Sequence, residues 1–223
     1  PILNCDGAGR AGLKQVISER RQADLGADGL GRIAISSPTA TSVAIAEDAS
    51  PSVYGMKLQS VSSSLTGATV TGPAGTPPAI SIDLGATNPA DGDTVTFTFH
   101  LPDGTSETVE LTASGETPTP VGSFAIGATP TATAANLNAA LTASIEALAG
   151  TSLVAASAVQ ASRDFFGQPP QRVDVTPPAT LSTATAAANG TAADTVQWYT
   201  GEEGTGSARA TSVVRVDASV TVQ

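Results

Sequence analysis

Residues able to do chemistry are few in this chain. His100 is the single histidine and Cys5 the single cysteine, so neither a two-histidine zinc site nor an intramolecular disulfide can form. One histidine could formally serve a Ser-His-Asp triad, but no G-x-S-x-G sequence accompanies it. Glu107 with Glu110, and the glutamates at 202–203, could pair as catalytic carboxylates, although acidic residues usually occupy turns and solvent-facing positions. We predict no catalytic, cofactor-binding or metal-binding residue, and no enzyme.

Two glycine-rich segments near the start look superficially like ligand-binding loops. Residues 7–12 spell G-x-G-x-x-G, the dinucleotide-binding pattern, but only Ile2 and Leu3 could form the preceding strand and no βα repeats follow. Residues 24–29 echo a calcium loop whose third ligand position is glycine and whose twelfth is Ile35 instead of glutamate. A glycine-rich lead-in and a turn are the favoured interpretations.

The charge and composition exclude several partners. With 20 acidic and 10 basic residues, the formal charge of −10 should repel nucleic acid and anionic membranes. No run approaches the ~18 consecutive apolar residues of a membrane span, so no membrane insertion is expected. Residues 189–191 match a glycosylation acceptor, which matters only in a eukaryotic secretory context. The first residue is Pro1 and no cleavable signal peptide is visible, so we expect an excised piece of a longer protein.

A β-hairpin is predicted over residues 93–111. Val95, Phe97 and Phe99 alternate with threonines, which is the period of a half-buried strand. A three-residue loop at 102–104 sets Phe97 opposite Val109 and Val95 opposite Leu111, which keeps one face apolar, whereas a two-residue loop would set Phe97 opposite Thr108 or Glu110. The same parity places His100 on the polar face.

One amphipathic helix is predicted over residues 133–149, because Leu137, Leu141 and Ile145 recur at helical spacing. Thr131 or Thr133 would cap its start and Gly150 would follow its end. A return strand over 152–159 should complete a helix-covered sheet.

Shorter elements are expected elsewhere. Residues 10–25 suggest a helix with a narrow apolar stripe that needs a packing partner, within the chain or outside it. Strands are expected at 33–35, 42–46, 68–71, 80–84 and 173–175, and one long or two broken strands within 208–222, whereas 56–65 fits neither period. Residues 179–193 suggest an exposed loop or an irregular edge. Phe165 and Phe166 are expected to anchor the joint between two lobes, and 195–200, with Trp198 and Tyr199, to form a buried strand.

The predicted fold class is α+β and β-dominant, with antiparallel sheets, one main amphipathic helix and two lobes. Residues 1–37 would form a short helix and flexible lead-in. Residues 38–90 plus 168–223 would form a β-rich lobe, into which 91–167 is inserted as a hairpin-helix-strand lobe.

The segment GDTVTFTFHLPDGTSETVELTAS, followed by FAIGATPTATAANLNAALTASIEALAGTSLVAASAV, resembles the ββ-helix-β element in the outer, variable region of bacterial flagellins and hook-associated proteins. The segments GLKQVISERRQADLGADGLGR, DFFGQPPQRV and TVQWYTGEEG are similar to a flagellin-specific insert domain. These segments span most of the chain. The heptad-rich terminal helices of a whole flagellin are missing from it.

The resemblance implies a structural role, as the surface-exposed outer domain of a filament subunit in the bacterial flagellum, which serves motility. The expected partners are other flagellin subunits, with any export chaperone binding outside these residues. The expected location is extracellular, after export without a cleaved signal peptide. The alternative is a glycan- or receptor-binding β-rich surface or phage-tail module, in which Trp198 and Tyr199 would be accessible.

Overall fold

The computed structural model describes residues 2–4 and 8–199, together with the backbone of two later strands. The fold is α+β and strand-rich. In chain order the elements are α1 Leu13–Leu25, β1 Ile33–Ser36, β2 Ser42–Glu47, β3 Lys57–Ser63, β4 Thr69–Ala74, β5 Ala79–Asp83, β6 Thr94–His100, β7 Ser106–Ser114, β8 Ser123–Ala125, α2 Pro130–Gly150, α3 Ser152–Phe165, β9 Gln171–Val173, β10 Ala187–Asn189, β11 Val214–Asp217 and β12 Val220–Val222.

The central sheet has the strand order β3-β6-β7-β8, and its hairpin has the predicted register. Phe97 lies opposite Val109 and Val95 opposite Leu111. Gly104 has φ +91° and donates to the carbonyl of Leu101, which closes the three-residue loop. The parity argument is therefore confirmed, because only this register puts the aromatic and aliphatic side chains on one buried face. The ambiguous segment 56–65 is a strand, β3, which pairs with β6.

Helix α2 covers this sheet and its neighbour. Leu137, Leu141 and Ile145 are fully buried, and α2 contacts β7 and β8 on one side and β1 and β2 on the other. The predicted helix is confirmed, but it starts earlier: Thr129 is the N-cap and accepts a hydrogen bond from the Ala132 amide (3.2 Å). Capping by Thr131 or Thr133 is wrong, because Thr133 is buried and its hydroxyl donates to the Asn88 side chain (2.7 Å).

The predicted strand at 152–159 is wrong, because these residues belong to helix α3. Leu153, Ala156, Ala161 and Phe165 are buried at helical spacing. Helix α2 ends at Gly150, one residue beyond the predicted end, and the chain bends at Thr151 before α3 begins. By length and composition alone, the combined run of 36 residues could cross a membrane. Here its apolar face packs on the sheets and on α1, as in the core helix of a globular protein.

The second sheet has the order β1-β2-β5-β4, and all its neighbours are antiparallel. Its strands agree with those expected at 33–35, 42–46, 68–71 and 80–84. Ile33, Val43 and Ile80 from this sheet share one core cluster with Phe97 and α2. Strand β3 precedes residue 91 and β6 follows it, so the central sheet takes strands from both sides of the expected lobe boundary.

Helix α1 ends at Gly26, as predicted, and it has its apolar partner within the chain. Val16 of α1 is buried with Ala161 and Phe165 of α3, and Leu13 and Ile17 pack against this cluster. The apolar stripe of α1 therefore has the partner that it needs within the chain. The strand predicted at 152–159 had concealed the apolar helical face of α3 against which α1 packs.

Two glycines in the turns near α1, Gly29 and Gly55, should differ in how much stability an alanine substitution costs. Gly55 has φ +79°, and a Cβ there would lie 2.6 Å from the Arg32 Cβ and 2.8 Å from the Gly31 carbonyl oxygen. Gly29 has nearly the same φ of +77°, with nothing within 4 Å of an added Cβ. We expect Gly55→Ala to lower the free energy of unfolding by about 3 kcal/mol, from backbone strain plus overpacking, and Gly29→Ala by about 1 kcal/mol from strain alone. Urea unfolding measures both, and equal losses would contradict the packing around Gly55.

Near the C-terminus, the strand expected at 173–175 begins earlier, as β9, and it pairs with β10. Residues 179–193 agree better with the expected irregular edge than with an exposed loop. They hold β10 and a short 3-10 turn at Leu181–Thr183, and Ala184 is buried. The backbones of β11 and β12 pair antiparallel, in agreement with the broken strands expected within 208–222.

Candidate functional site: an exposed aromatic patch

The chain has five Phe, two Tyr and one Trp, and their exposure is sharply divided. Phe97, Phe99, Phe124, Phe165 and Tyr54 are at most 1% exposed. Phe166, Trp198 and Tyr199 are 43%, 41% and 44% exposed. These three residues form what we call the aromatic patch. Concentrating every exposed aromatic ring in one place is typical of a contact surface, because aromatic side chains are enriched where proteins bind partners.

The rings of the patch contact one another in a row that starts from the core. Buried Phe165 meets Phe166 edge to face, with ring centroids 5.1 Å apart. Phe166 meets Trp198 in the same way at 5.7 Å, and Trp198 meets Tyr199 at 5.7 Å with their planes tilted by 41°. Edge contacts of this kind are favourable and hold each ring in place. The patch is therefore fixed to the end of α3 while one side of each ring is accessible.

The segment that carries Trp198 and Tyr199 is held beside the start of α1. Ala11 and Thr195 form a parallel bridge, in which the Ala11 amide donates to the Asp194 carbonyl (2.8 Å) and the Val196 amide donates to the Ala11 carbonyl (2.9 Å). Val196 is 5% exposed and packs in the cluster with Val16 and Phe165. Residues 11 and 195, which are far apart in the sequence, are thus adjacent.

Arg172 on β9 links this segment to α1. Its guanidinium donates to both carboxylate oxygens of Glu19 (2.6 and 2.8 Å), to the Asp194 carbonyl (3.1 Å) and to the Thr195 hydroxyl (3.1 Å). Burial pushes the pKa of the Asp194 carboxyl upward, but hydrogen bonds from Thr195 and Thr191 outweigh it and leave that pKa below its ordinary value. The bidentate pair of Arg172 with Glu19 is little exposed and geometrically specific, so it holds the segment that carries Trp198 and Tyr199 against α1.

The predicted buried strand at 195–200 is wrong within the described residues. Thr195 and Val196 are buried, but Trp198 and Tyr199 are not, and no strand is formed through Tyr199. Aromatic and β-branched residues favour both a buried strand and an interface, and sequence alone does not separate the two. Of the two residues expected to act as an anchor, Phe165 is buried against α1, whereas Phe166 is exposed and belongs to the patch.

The other candidate residues do not meet one another. His100 is exposed at the end of β6, opposite Ser106, and Glu110 lies on the exposed face of β7, where it accepts from the Thr96 hydroxyl. Asn189 is exposed on β10, and its side-chain oxygen accepts from Gln171. Cys5 and the glutamates at 202–203 lie outside the described residues.

The two glycine-rich segments are structural where they are described. Gly12 is the N-cap of α1, and a Cβ there would lie 2.3 Å from the Asn4 carbonyl oxygen, so this glycine permits a close backbone approach within the chain. Asp24 is fully buried, with one oxygen bound to Arg20 and the other to the Gly55 amide. Across the described part of the chain, no group of three or more His, Cys, Asp or Glu side chains could hold a metal ion.

Comparison with known proteins found no matching family model, no similar curated protein and no similar solved structure. Function must therefore be argued from this fold and its surfaces.

Proposed function

We propose that this chain is the surface-exposed outer domain of a flagellin subunit in the bacterial flagellar filament, a structural and extracellular role. The observation that carries the proposal is the parallel bridge between Ala11 and Thr195. A segment whose two ends, at residues 11 and 195, lie side by side could project from a filament shaft without interrupting it. The resemblance of residues 92–150 to the two strands and helix of the flagellin ββ-helix-β element points in the same direction, although residues 152–159 form a helix where that element has its last strand.

The outward face of the central sheet suits such a projecting domain. Ser60, Ser62 and Thr108 are exposed, and Thr96 and Thr98 are partly exposed beside them. A flat hydroxyl-bearing face with glutamates and an overall charge of −10 stays hydrated. It limits non-specific association between the many copies that a filament displays.

An antibody raised against this chain tests the proposal on the native organism. We expect immunogold electron microscopy to label flagellar filaments along their whole length. We also expect in-frame deletion of residues 12–194 to leave filaments that still assemble but are thinner, because the ends of the deleted segment are adjacent. Label confined to the cell envelope, or to the hook alone, would contradict an outer filament domain.

One observation favours a second candidate, a glycan-binding surface module. Trp198 and Tyr199 are accessible, as that function requires, and aromatic faces provide apolar contact area. A glycan array probed with this chain and with Trp198→Ala separates the candidates. Saccharide binding that the substitution abolishes would support a lectin-like module, and uniformly absent binding would leave the filament proposal in place.

A further inference from the structure

A cleft lies between the C-terminal end of α1 and the 3-10 turn at Leu181–Thr183, and we call it the α1 cleft. It contains a cavity of about 320 Å³, which is lined by residues 27–28, 32, 48–49 and 182–183. A second cavity of about 500 Å³ adjoins the first, because Ala27, Asp28 and Ser182 line both. Small-molecule sites occupy about 300–1,000 Å³, so the cleft has a suitable size. Size alone does not distinguish it from other surface clefts, but its arginine does.

Arg32 is a buried side chain whose donors are only partly used by the protein. It is 3% exposed and lines the smaller cavity. Its Nε donates to Asp48 (3.0 Å), and its Nη1 donates to the carbonyls of Ala23 (3.3 Å), Ser182 (3.2 Å) and Ala184 (2.9 Å). Its Nη2 makes no hydrogen bond within the described part of the chain. Every buried side-chain nitrogen or oxygen there has a partner, so Nη2 must be reached by solvent, and the cavity is the space that Arg32 lines.

The backbone of Arg32 is strained. Among the residues that the structure describes, Arg32 is the single non-glycine residue with a positive φ, at +66°. A glycine would adopt this conformation without strain, and strained residues of this kind cluster at functional sites. The hydrogen bonds from Nε and Nη1 account for a structural role of the arginine. They do not account for Nη2.

Two carboxylates line the same cavity and supply acceptors. One oxygen of Asp28 accepts from the Leu30 amide (3.0 Å), and one oxygen of Asp48 accepts from Arg32. The second oxygen of each carboxylate accepts from no group among the described residues and can therefore accept from a ligand. One guanidinium against two carboxylates, in a chain of charge −10, disfavours an anionic ligand.

We propose that the α1 cleft binds a neutral sugar. A hydroxyl group both donates and accepts, so neighbouring hydroxyls on a sugar ring can accept from Arg32 Nη2 and donate to Asp28 and Asp48. Hydrogen bonds to charged groups are roughly twice as strong as those between neutral groups. In the adjoining cavity, Leu25 supplies apolar surface for the carbon face of the ring. The proposal concerns a different surface from the aromatic patch and does not depend on the filament role.

Titration of the isotope-labelled chain with single sugars, followed by amide chemical shifts, tests the proposal. The probes are glucose, galactose, mannose and N-acetylglucosamine, with glucuronic acid as the anionic analogue. We expect at least one neutral sugar to shift the amides of residues 26–29, 48–49 and 182–183 saturably. Its dissociation constant should be about 2 mM, as for a ligand of about 12 non-hydrogen atoms. Glucuronic acid should bind roughly tenfold more weakly, because its carboxylate meets Asp28 and Asp48.

Variants separate binding in the cleft from binding elsewhere. Ala27 is exposed and lines both cavities, so Ala27→Phe would fill the cleft without removing any described polar side chain, and we expect it to abolish the shifts. Ala40→Phe is the matched control, because Ala40 is an exposed alanine in the turn before β2, and we expect no effect. Arg32→Lys keeps the positive charge beside Asp48 but lacks Nη2, and we expect roughly tenfold weaker binding. If Arg32→Lys does not fold, Ala27→Phe decides the matter.

Several outcomes would overturn the proposal. Saturable shifts that survive Ala27→Phe, or that Ala40→Phe removes equally, would do so. Tighter binding of glucuronic acid would do so, and so would the absence of shifts from every neutral sugar at about 20 mM, tenfold above the expected dissociation constant. Shifts confined to the amides around Trp198 would also overturn it, in favour of glycan binding at the aromatic patch. None of these results changes the immunogold labelling of filaments, so this proposal and the proposed function can fail separately.

Discussion

Replacing Arg20 with alanine is expected to lower the free energy of unfolding by about 3–5 kcal/mol, since it leaves a buried carboxylate without its cation. Arg20 is 7% exposed on α1, and its guanidinium binds Asp24 (2.9 Å), Asp164 (3.0 Å) and the Val53 carbonyl (3.1 Å). It also lies 4.7 Å from the centre of the Tyr54 ring. One side chain therefore joins α1, α3 and the segment that precedes β3.

The neighbouring Tyr54 shows how desolvated this region is. Burial raises the pKa of the Tyr54 hydroxyl well above its ordinary value, although the positive charge of Arg20 partly offsets that effect. The neutral hydroxyl donates to the Ala186 carbonyl (3.1 Å). A charge left alone in these surroundings is costly, which is why the expected loss is large.

Urea unfolding followed by circular dichroism measures the effect, and Arg21→Ala is the matched control. Arg21 is the next residue on the same helix and is exposed, so its loss should change stability by no more than about 0.5 kcal/mol. Arg20→Met combined with Asp24→Asn removes both charges and should recover part of the loss. Equal stability of the Arg20 and Arg21 variants would show that the buried ion pair is not as described.

The second large effect is expected at Phe97, in the middle of the central sheet. Phe97 lies on β6, is 1% exposed and packs in the core cluster that also contains Leu137 and Leu141 of α2. Phe97→Ala removes a whole ring that the surroundings cannot fully replace, so we expect a loss of about 3–5 kcal/mol. Guanidinium unfolding measures it.

Thr108→Val is the control, because Thr108 pairs with Thr98 on the exposed face of the same hairpin. We expect a change within about 0.5 kcal/mol, since valine keeps the branched shape that suits a strand. If the register were shifted by one residue, Phe97 would lie opposite Thr108 on the same face, and the two substitutions would no longer differ because of opposite faces. The pair of variants thus tests the register itself.

The elements whose apolar period is regular could be predicted from the residues alone. The hairpin register followed from the alternation at Val95, Phe97 and Phe99 and from the loop at 102–104. Helix α2 followed from Leu137, Leu141 and Ile145. In both segments the local apolar pattern agrees with the tertiary packing, so the pattern is enough to predict the structure.

Only the tertiary structure decided the elements in which the local signals conflict. Residues 152–159 follow a glycine and contain two valines, which favours a strand. Packing on α1 instead selects a helix that extends to Phe165. Trp198 and Tyr199 suggested a core strand, but whether an aromatic ring is buried depends on what lies across from it. The proposed function depends on the bridge between Ala11 and Thr195. These residues are far apart in the sequence, and no local pattern in either segment predicts that they pair.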